Sequence, residues 1–366
     1  MHNLNFNKRI LIAPLDWGLG HATRCIPLIE AFRKRGFEVV LAADGPAARL
    51  YAREFPDLDI RLLKGYGIRY GKSNLLLHLL FQLPRIFRTI RFEHQWLQAV
   101  LKKERFDCII SDNRPGLWSK KTHTIYITHQ LMIQSGKGKF LNQILEYLHS
   151  SYMKRFAEVW VPDLRGTRNM AGALSHPAHD RVHPLYMGLI SRLNYEQQTS
   201  ELYDLTVLLS GPEPQRTLLE NRIVSQLDTF QGKVLLVRGL PYEQTPLILS
   251  GRHITVEPFL NSSQVQTALL SSKQVICRSG YTTLMDLVKL KRKAILVPTP
   301  GQPEQEYLAR YMQEQNRFPY VRQHDFQLQA ALQKAETFEW TDSFSEEDFT
   351  IYEQRVDELL DYTLSA

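Results

Sequence analysis

The sequence predicts an α/β protein with two doubly wound, mainly parallel sheets, carried by two Rossmann-like domains that face a central cleft. Short buried runs, such as RILIAPL at 9–15 and FEVVLAA at 37–43, alternate with helical periodicity along the first hundred residues. The alternation restarts after a polar stretch at 193–202. A length of 366 residues is sufficient for two domains of about 150–180 residues each.

The elements follow from this pattern in chain order. The first half begins with a strand at 9–15, a loop at 16–21 and a helix that ends near Arg35. A strand at 37–43 and a helix at 45–54 follow. Further strands are predicted at 58–63, 107–112, 124–128 and 158–162, and in the second half at 205–209, 233–237, 254–257, 274–277 and 294–298. We therefore predict a first domain over 1–190, a linker over 191–204 and a second domain over 205–345. The Ser-Glu-Glu-Asp sequence at 345–348 is typical of a helix start, and we expect a helix at about 346–366 that packs back on the first domain.

Composition narrows the classes of function. Hydrophobic residues make up 43% and charged residues 23%, which is typical of a globular chain. The three cysteines show neither a paired framework nor metal-ligand spacing, which favours a reducing compartment. No apolar run approaches the length of a spanning helix, so we expect a cytoplasmic protein that at most touches a membrane from outside. The net charge of +7 indicates an anionic partner, but basic residues do not interleave with stacking aromatics as in nucleic-acid binding proteins.

Three loops at predicted strand ends are candidates for chemistry, because parallel sheets bind ligands at the carboxyl ends of their strands. The first is DWGLGH at 16–21. Its glycines allow close approach of backbone to a ligand, and His21 has a side chain suited to proton transfer near neutral pH. The alternative is a tight turn whose histidine only caps the following helix.

The second loop is CRSGYTTLMD at 277–286. Free amide groups and hydroxyls at a helix start, with a nearby guanidinium from Arg278, suit a diphosphate, and Asp286 is placed to bind a ribose diol. The alternative is an ordinary capped helix with a solvated Asp286. The third loop, PTPGQPEQEY at 298–307, brings amides and carboxylates that suit sugar hydroxyls, and its alternative is a rigid turn with a polar helix start.

Together these loops resemble the MurG-type glycosyltransferases of the two-domain GT-B class. The segment VICRSGYTTLMDLVKLKRKAILVPTPGQPEQEYLA at 275–309 is similar to that family's Cys-Arg-Ser-Gly stretch and its sugar-contacting Gln-Gln pair. Gln305 keeps the first of these glutamines and Glu306 replaces the second, while Asp286 stands for the ribose-binding glutamate. The resemblance implies a nucleotide-sugar site that comprises Arg192, Ser210, Gly211, Phe259, Leu260, Arg278, Ser279, Gly280, Tyr281, Thr282, Thr283, Asp286, Gln302, Glu304, Gln305 and Glu306.

In the first half, Gly18-Leu19-Gly20-His21 is similar to the end of the family's glycine-rich loop, which makes His21 the implied general base. Asp112 is a candidate partner for His21, although a capping role is equally open. The implied acceptor side comprises Trp17, Gly18, Leu19, Gly20 and His129. Trp17 and Leu19 replace small residues, and Thr128-His129-Gln130 lacks the family's carboxylate, so the acceptor is expected to differ.

The resemblance implies an inverting, metal-independent hexosyltransferase that uses a UDP-sugar and a lipid-linked or cell-envelope acceptor, with no cofactor. The sequence Asp57-Leu58-Asp59 matches the metal-binding Asp-x-Asp of another transferase class, but its position after Phe55-Pro56 favours a surface turn. Two other functions remain open. A UDP-sugar 2-epimerase shares the architecture, and a non-catalytic protein would only bind the nucleotide sugar.

The stretch LLLHLLFQLPRIFRTIR at 75–91 places leucines and phenylalanines beside three arginines, with Pro84 expected to break it. A basic amphipathic segment of this kind can lie on the inner face of an anionic cytoplasmic membrane, and KGKF at 137–140 adds to the same character. The alternative is a core helix with a solvated basic edge.

Overall fold

A computed structural model describes residues 8–67, 75–134, 136, 138–179, 181–196, 200–241, 247, 249, 251, 253–341 and 343–365. The chain divides into two units. The first contains the described residues of 1–69, 76–190 and 345–366, and the second contains those of 70–75 and 191–344. Among the described residues, every pairing between strands is parallel. The predicted α/β class with parallel sheets is therefore confirmed.

The first unit has a seven-stranded sheet in the order β3-β2-β1-β4-β5-β6-β7. Its strands are β1 (Arg9–Pro14), β2 (Glu38–Ala43), β3 (Asp59–Leu62), β4 (Cys108–Asp112), β5 (His123–Ile127), β6 (Glu158–Val161) and β7 (Pro184–Tyr186). Its helices are α1 (Gly20–Lys34), α2 (Gly45–Glu54), α3 (Leu75–Leu101), α4 (Lys139–Met153) and, from the C-terminus, α10 (Ile351–Ser365). The reversal of strand order beside β1 is the doubly wound arrangement in which the loops after β1 and β4 share one edge.

The second unit has a five-stranded sheet in the order β10-β9-β8-β11-β12. Its strands are β8 (Tyr203–Leu208), β9 (Val234–Val237), β10 (Ile254–Glu257), β11 (Ser272–Cys277) and β12 (Ile295–Leu296), and its helices are α5 (Gln215–Leu227), α6 (Ser262–Leu270), α7 (Tyr281–Lys289), α8 (Pro303–Glu314) and α9 (Leu328–Glu336). Cys277 pairs with Leu208 on one side and with Leu296 on the other, so β8, β11 and β12 end in register.

The C-terminal helix α10 packs on α1 of the first unit. Val356 and Leu359 of α10 are buried in the same core as Phe32 of α1. Arg35, just beyond α1, donates to Asp357 at 2.5 Å and 2.8 Å. Apolar burial therefore holds the helix in place, and the ion pair sets its position along α1.

Three elements differ from the sequence prediction. Pro84 does not break the basic segment: it lies inside α3, which runs continuously from Leu75 to Leu101, and its side chain is exposed. The strand β7 was not predicted, since it has only three residues and begins at a proline. The C-terminal segment begins with a 3₁₀ turn at Glu346–Phe349, capped by Ser345, before α10 starts.

Candidate active site

The loop after β1 ends at the N-terminus of α1, where Gly20 is the first helical residue and His21 the second. Gly18 has a φ of +83°, a conformation that side chains rarely tolerate. Trp17 is 39% exposed and meets the Tyr66 ring edge-on, with ring centroids 6.1 Å apart. Leu19 packs on the core beside α1. This loop therefore presents an ordered aromatic side chain next to the candidate base.

His21 and Asp112 meet at this edge of the sheet. Asp112 ends β4 beside Pro14 at the end of β1, and its carboxylate is fully buried. The His21 Nδ1 atom lies 3.2 Å and 3.3 Å from the two carboxylate oxygens. The two residues predicted to form a pair are thus in contact, and Asp112 is not the cap of a helix. This geometry allows the carboxylate to orient the imidazole ring.

Sequence reasoning missed Arg24, one helical turn beyond His21 on α1. Its buried guanidinium donates through Nε to the Oδ2 atom of Asp112 at 2.8 Å and through Nη2 to Oδ1. Its Nη1 lies 3.1 Å from the Nδ1 atom of His129 in the loop after β5. The spacing of three residues from His21 was a signal in the sequence, because such residues share a helix face.

The protonation of the cluster follows from these contacts. Burial opposes ionisation of Asp112, but the charges of Arg24 and His21 outweigh burial and hold the pKa of the carboxyl below its ordinary range. Burial lowers the pKa of His21; Asp112 opposes this effect, whereas Arg24 adds to it. His21 is therefore a neutral imidazole near pH 7, which is the form that accepts a proton.

A second buried network lies beneath the same loop. Glu93 of α3 accepts from Tyr66 Oη at 2.9 Å, from Arg114 Nη1 at 3.0 Å and from the Gly116 amide at 3.1 Å. Burial raises the pKa of Glu93 to about 7, against the charge of Arg114. Since Tyr66 also contacts Trp17, this network fixes the aromatic side chain at the surface to the core of the unit.

In the second unit, the guanidinium of Arg278, a predicted diphosphate ligand, is engaged by the fold. Its guanidinium is buried, and it donates to the backbone carbonyls of Ser210 at 3.4 Å, Val297 at 3.1 Å, Pro298 at 3.2 Å and Gln215 at 2.8 Å. These contacts tie together the loops after β8 and β12. Arg278 therefore holds these loops together, and its contribution to diphosphate binding stays a prediction.

The start of helix α7 has the backbone geometry expected of an anion site, although some of its side chains are buried or hydrogen-bonded within the protein. Gly280 is the N-cap with an ordinary φ of −69°, and the first helical residues are Tyr281, Thr282 and Thr283. The Ser279 hydroxyl donates to the Gln305 carbonyl at 2.8 Å, and the Tyr281 ring is buried. What α7 offers an anion is thus mainly its backbone amides and its dipole.

Asp286 is buried within α7, which excludes the alternative of a solvated side chain. Its Oδ1 atom accepts from the Ser191 hydroxyl at 2.6 Å. Burial raises the pKa of Asp286 to about 6, and the positive charge of Arg192 and the hydrogen bond from Ser191 oppose this rise. Arg192 and Asp286, both predicted as ligands, are therefore electrostatic neighbours.

Two of the predicted sugar ligands in the loop before α8 form hydrogen bonds to the backbone of the same loop. Gln305 Oε1 accepts from the Thr299 amide and Glu306 Oε1 from the Gly301 amide, both at 2.9 Å. Gln302 is the N-cap of α8, and Glu304 lies in its first turn. One oxygen of Gln305 and one of Glu306 are thus used within the loop, and sugar binding by these residues stays a prediction.

The remaining predicted residues lie in loops at the same ends of the strands. Gly211, in the loop after β8, has a φ of +103°, and a Cβ atom there would lie 3.4 Å from Thr299 Oγ1. Phe259 and Leu260 follow β10, where the Leu240 amide donates to the Pro258 carbonyl at 2.7 Å. Leu260 is buried, so only its backbone is a candidate ligand.

The Asp57 and Asp59 carboxylates pair with arginines at the surface, at 2.5 Å from Arg33 and 2.6 Å from Arg61. Within the described ranges, no group of three or more acidic, histidine or cysteine side chains has the arrangement of a metal site.

Comparisons with known proteins agree with this architecture. Residues 215–347 match the glycosyltransferase family 28 C-terminal domain. A UDP-N-acetylglucosamine–N-acetylmuramyl-(pentapeptide) pyrophosphoryl-undecaprenol N-acetylglucosamine transferase from Chlorobium phaeobacteroides is 24% identical over 303 residues, which cover 77% of this chain and 76% of that protein.

Solved structures show the likeness in fold. MurG from Acinetobacter baumannii has a TM-score of 0.54 at 12% identity, covering 98% of this chain and 100% of that one. The calicheamicin glycosyltransferase CalG4 has a TM-score of 0.61 at 13% identity, covering 98% and 95% of the two chains. The spinosyn rhamnosyltransferase SpnG has a TM-score of 0.60 at 15% identity, covering 97% and 96%. The predicted GT-B class and the MurG-like resemblance are confirmed, and the chain is a glycosyltransferase.

Proposed function

We propose that this enzyme is an inverting, metal-independent glycosyltransferase that moves a hexosyl or N-acetylhexosaminyl group from a UDP-sugar to a lipid-linked or cell-envelope acceptor. The observation that carries the proposal is the contact between His21 and the buried Asp112 at the ligand-binding edge of the first sheet. The name of the Chlorobium relative includes a UDP-sugar donor and a pyrophosphoryl-undecaprenol acceptor, which supports the choice of substrates.

Transfer with inversion needs one base and one stabilised leaving group. In our proposal His21 takes the proton of the acceptor hydroxyl, whose oxygen forms a bond to the anomeric carbon. The bond from that carbon to the diphosphate breaks, and the electron pair leaves with UDP. The amides at the start of α7 stabilise the developing charge, and Asp286 accepts hydrogen bonds from the ribose hydroxyls.

The substitution His21→Ala tests the base. We expect it to abolish transfer while UDP binding stays within about threefold of wild type, because the nucleotide ligands that we propose are residues of the second unit. His324→Ala is the matched control, since that imidazole is 67% exposed at the surface. Continued turnover by His21→Ala would refute the assignment.

The alternative functions give different products. An epimerase converts the UDP-sugar without an acceptor and releases no glycoside, and a binding protein releases no UDP. Measuring UDP release from UDP-GlcNAc and UDP-glucose, with and without a lipid-linked acceptor, separates the three. The anomeric configuration of the product, read by NMR, tests inversion.

We also propose that the first unit contacts an anionic membrane surface. Helix α4 buries the polar residues Glu146 and Ser150, whereas the apolar residues Phe140, Ile144, Tyr147 and Leu148 are exposed. Such a reversed pattern is typical of a helix that meets an apolar environment outside its own fold.

Helix α3 supplies the positive charge next to this face. Arg85, Arg88 and Arg91 are exposed, and Phe87 is 48% exposed beside them. Ile86 and Ile90 of α3 pack with Tyr152 of α4 on one small apolar cluster, so the two helices are neighbours. The side chains at 75–83 and Lys139, and Lys137 as a whole, lie outside the described residues. No helix in the described part of the chain is both long and apolar enough to cross a bilayer.

A further inference from the structure

Arg24 and Asp112 form a two-point ion pair beside the candidate base, and their opposite charges determine the electrostatic environment of His21. Both residues are buried, with side-chain exposures of 2% and 0%, and two guanidinium nitrogens face two carboxylate oxygens. A carboxylate that is paired with a guanidinium attracts a neighbouring imidazolium much less than an isolated carboxylate does. The positive charge of the guanidinium offsets the negative charge of the carboxylate at short range.

The Nδ1 atom of His21 lies beside both members of this pair. It is 2.9 Å from Arg24 Nη2 and 3.2 Å from Asp112 Oδ1. When Nδ1 carries a proton, it donates to the carboxylate and leaves the Nε2 lone pair available for an acceptor hydroxyl. When Nδ1 lacks a proton, it accepts from Arg24 instead. Arg24 and Asp112 therefore compete for one nitrogen.

The same guanidinium also reaches His129. Arg24 Nη1 lies 3.1 Å from His129 Nδ1, and because a guanidinium only donates, His129 Nδ1 is the acceptor in this contact. Arg24 therefore contacts the imidazoles of both histidines, His21 through Nη2 and His129 through Nη1.

Other titratable groups around the cluster are neutral. Cys25 Sγ lies 3.6 Å from Asp112 Oδ2, and burial raises the pKa of this thiol well above its ordinary value. Burial likewise raises the pKa of Tyr51, which donates to the Ala22 carbonyl at 3.1 Å. The charged groups facing His21 are therefore Asp112 and Arg24, with His129 as the third titratable neighbour.

We propose that Arg24 is a positioning residue that keeps His21 a neutral base, by pairing with the carboxylate that orients it. This inference deepens the proposed function, because it concerns the base of the same reaction. Without Arg24, Asp112 would stay buried with His21 as its remaining neighbour of opposite charge, and the imidazolium would be stabilised at neutral pH.

The variant Arg24→Met tests this through the pH dependence of kcat/KM for sugar transfer. We expect the acidic limb to move to higher pH, so that activity falls at least about tenfold more near pH 6 than near pH 8.5. Arg24→Lys retains the positive charge and is expected to keep the limb at its wild-type position. A limb that stays in place in Arg24→Met, with an equal loss at every pH, would show a merely structural role and overturn the proposal, as would a raised limb in Arg24→Lys.

Arg33→Met is the matched control, because Arg33 lies on the same helix but pairs with Asp57 at the surface. It is expected to leave the profile unchanged, and a shifted limb in this control would refute the assignment to Arg24. A second measurement does not depend on catalysis. NMR titration of ¹³C-labelled histidine gives the pH midpoint of His21, whose signal is assigned by its loss in His21→Gln. A higher midpoint for His21 in Arg24→Met supports the proposal even if no acceptor is turned over, and an unchanged or lower midpoint overturns it even if transfer is observed.

Discussion

The Ser191 hydroxyl donates to the buried Asp286 carboxylate at 2.6 Å, joining the start of the second unit to its helix α7. The carboxylate expected to bind a ribose is therefore already held by a hydroxyl of the same unit. A buried acid of this kind costs stability, and it is retained where a ligand needs it.

Asp286→Asn should stabilise the protein above neutral pH and weaken donor binding. Because burial raises the pKa of Asp286 to about 6 from 3.8, the stability contributed by the protonated carboxyl is lost as pH rises through about 6. We expect the variant to unfold a few degrees higher near pH 7.5 and at an unchanged temperature near pH 4. UDP affinity should fall about tenfold through loss of a charged acceptor. Thermal unfolding and calorimetric titration measure the two effects, and a lower Tm near pH 7.5 would contradict this prediction.

Arg278→Lys should destabilise the second unit instead of selectively weakening UDP binding. A lysine cannot reproduce hydrogen bonds to four backbone carbonyls, so we expect a loss of at least about 3 kcal/mol in the free energy of unfolding. Urea denaturation checks this, with the exposed Arg310→Lys as control. Full stability combined with poor UDP binding would contradict this prediction and support diphosphate binding by Arg278.

Gly188→Ala should loosen the C-terminal segment. Gly188 has a φ of +75°, and a Cβ atom there would lie 2.5 Å from the Asp348 carbonyl oxygen and 2.8 Å from Ile351 Cβ. We expect a destabilisation of at least about 2 kcal/mol and faster proteolysis of α10. Gly166 also has a positive φ, but nothing lies within 4 Å of its would-be Cβ atom. Gly166→Ala should therefore cost only about 1 kcal/mol, and equal losses in the two variants would argue against the steric explanation.

Transfer should survive removal of divalent metal. In our proposal the amides of α7 stabilise the diphosphate, so we expect the rate in excess EDTA to stay within about twofold of the rate with Mg²⁺. A rate that collapses in EDTA and returns with Mg²⁺ or Mn²⁺ would assign the diphosphate to a metal ion.

Charge placed on the exposed face of α4 should weaken membrane binding. Phe140→Asp and Tyr147→Asp put carboxylates at positions that are 77% and 63% exposed, so the fold should tolerate them. We expect each to reduce flotation with anionic liposomes by at least about tenfold, and high salt to weaken the wild-type interaction. Leu218→Asp, on an exposed apolar residue of the second unit, is the control. Unchanged flotation by both α4 variants would exclude this surface.

The amino-acid sequence by itself determined the parallel sheets and, through its resemblance to a known family, the class of enzyme. Buried strand runs, helix starts and the pattern Cys277-Arg278-Ser279-Gly280 are local, and local pattern suffices for them. The sequence also indicated that His21 and Asp112 could pair, because Asp112 stands at the end of a predicted strand in the same domain.

Only the tertiary structure decided which polar side chains form hydrogen bonds within the protein. Arg278, Gln305 and Glu306 have the side chains of ligands, yet hydrogen bonds to backbone atoms occupy much of their capacity. Arg24 has no motif of its own, yet it pairs with a carboxylate 88 residues away. The reason is physical: a buried donor or acceptor must find a partner, and which partner is near depends on three-dimensional packing that no local pattern encodes.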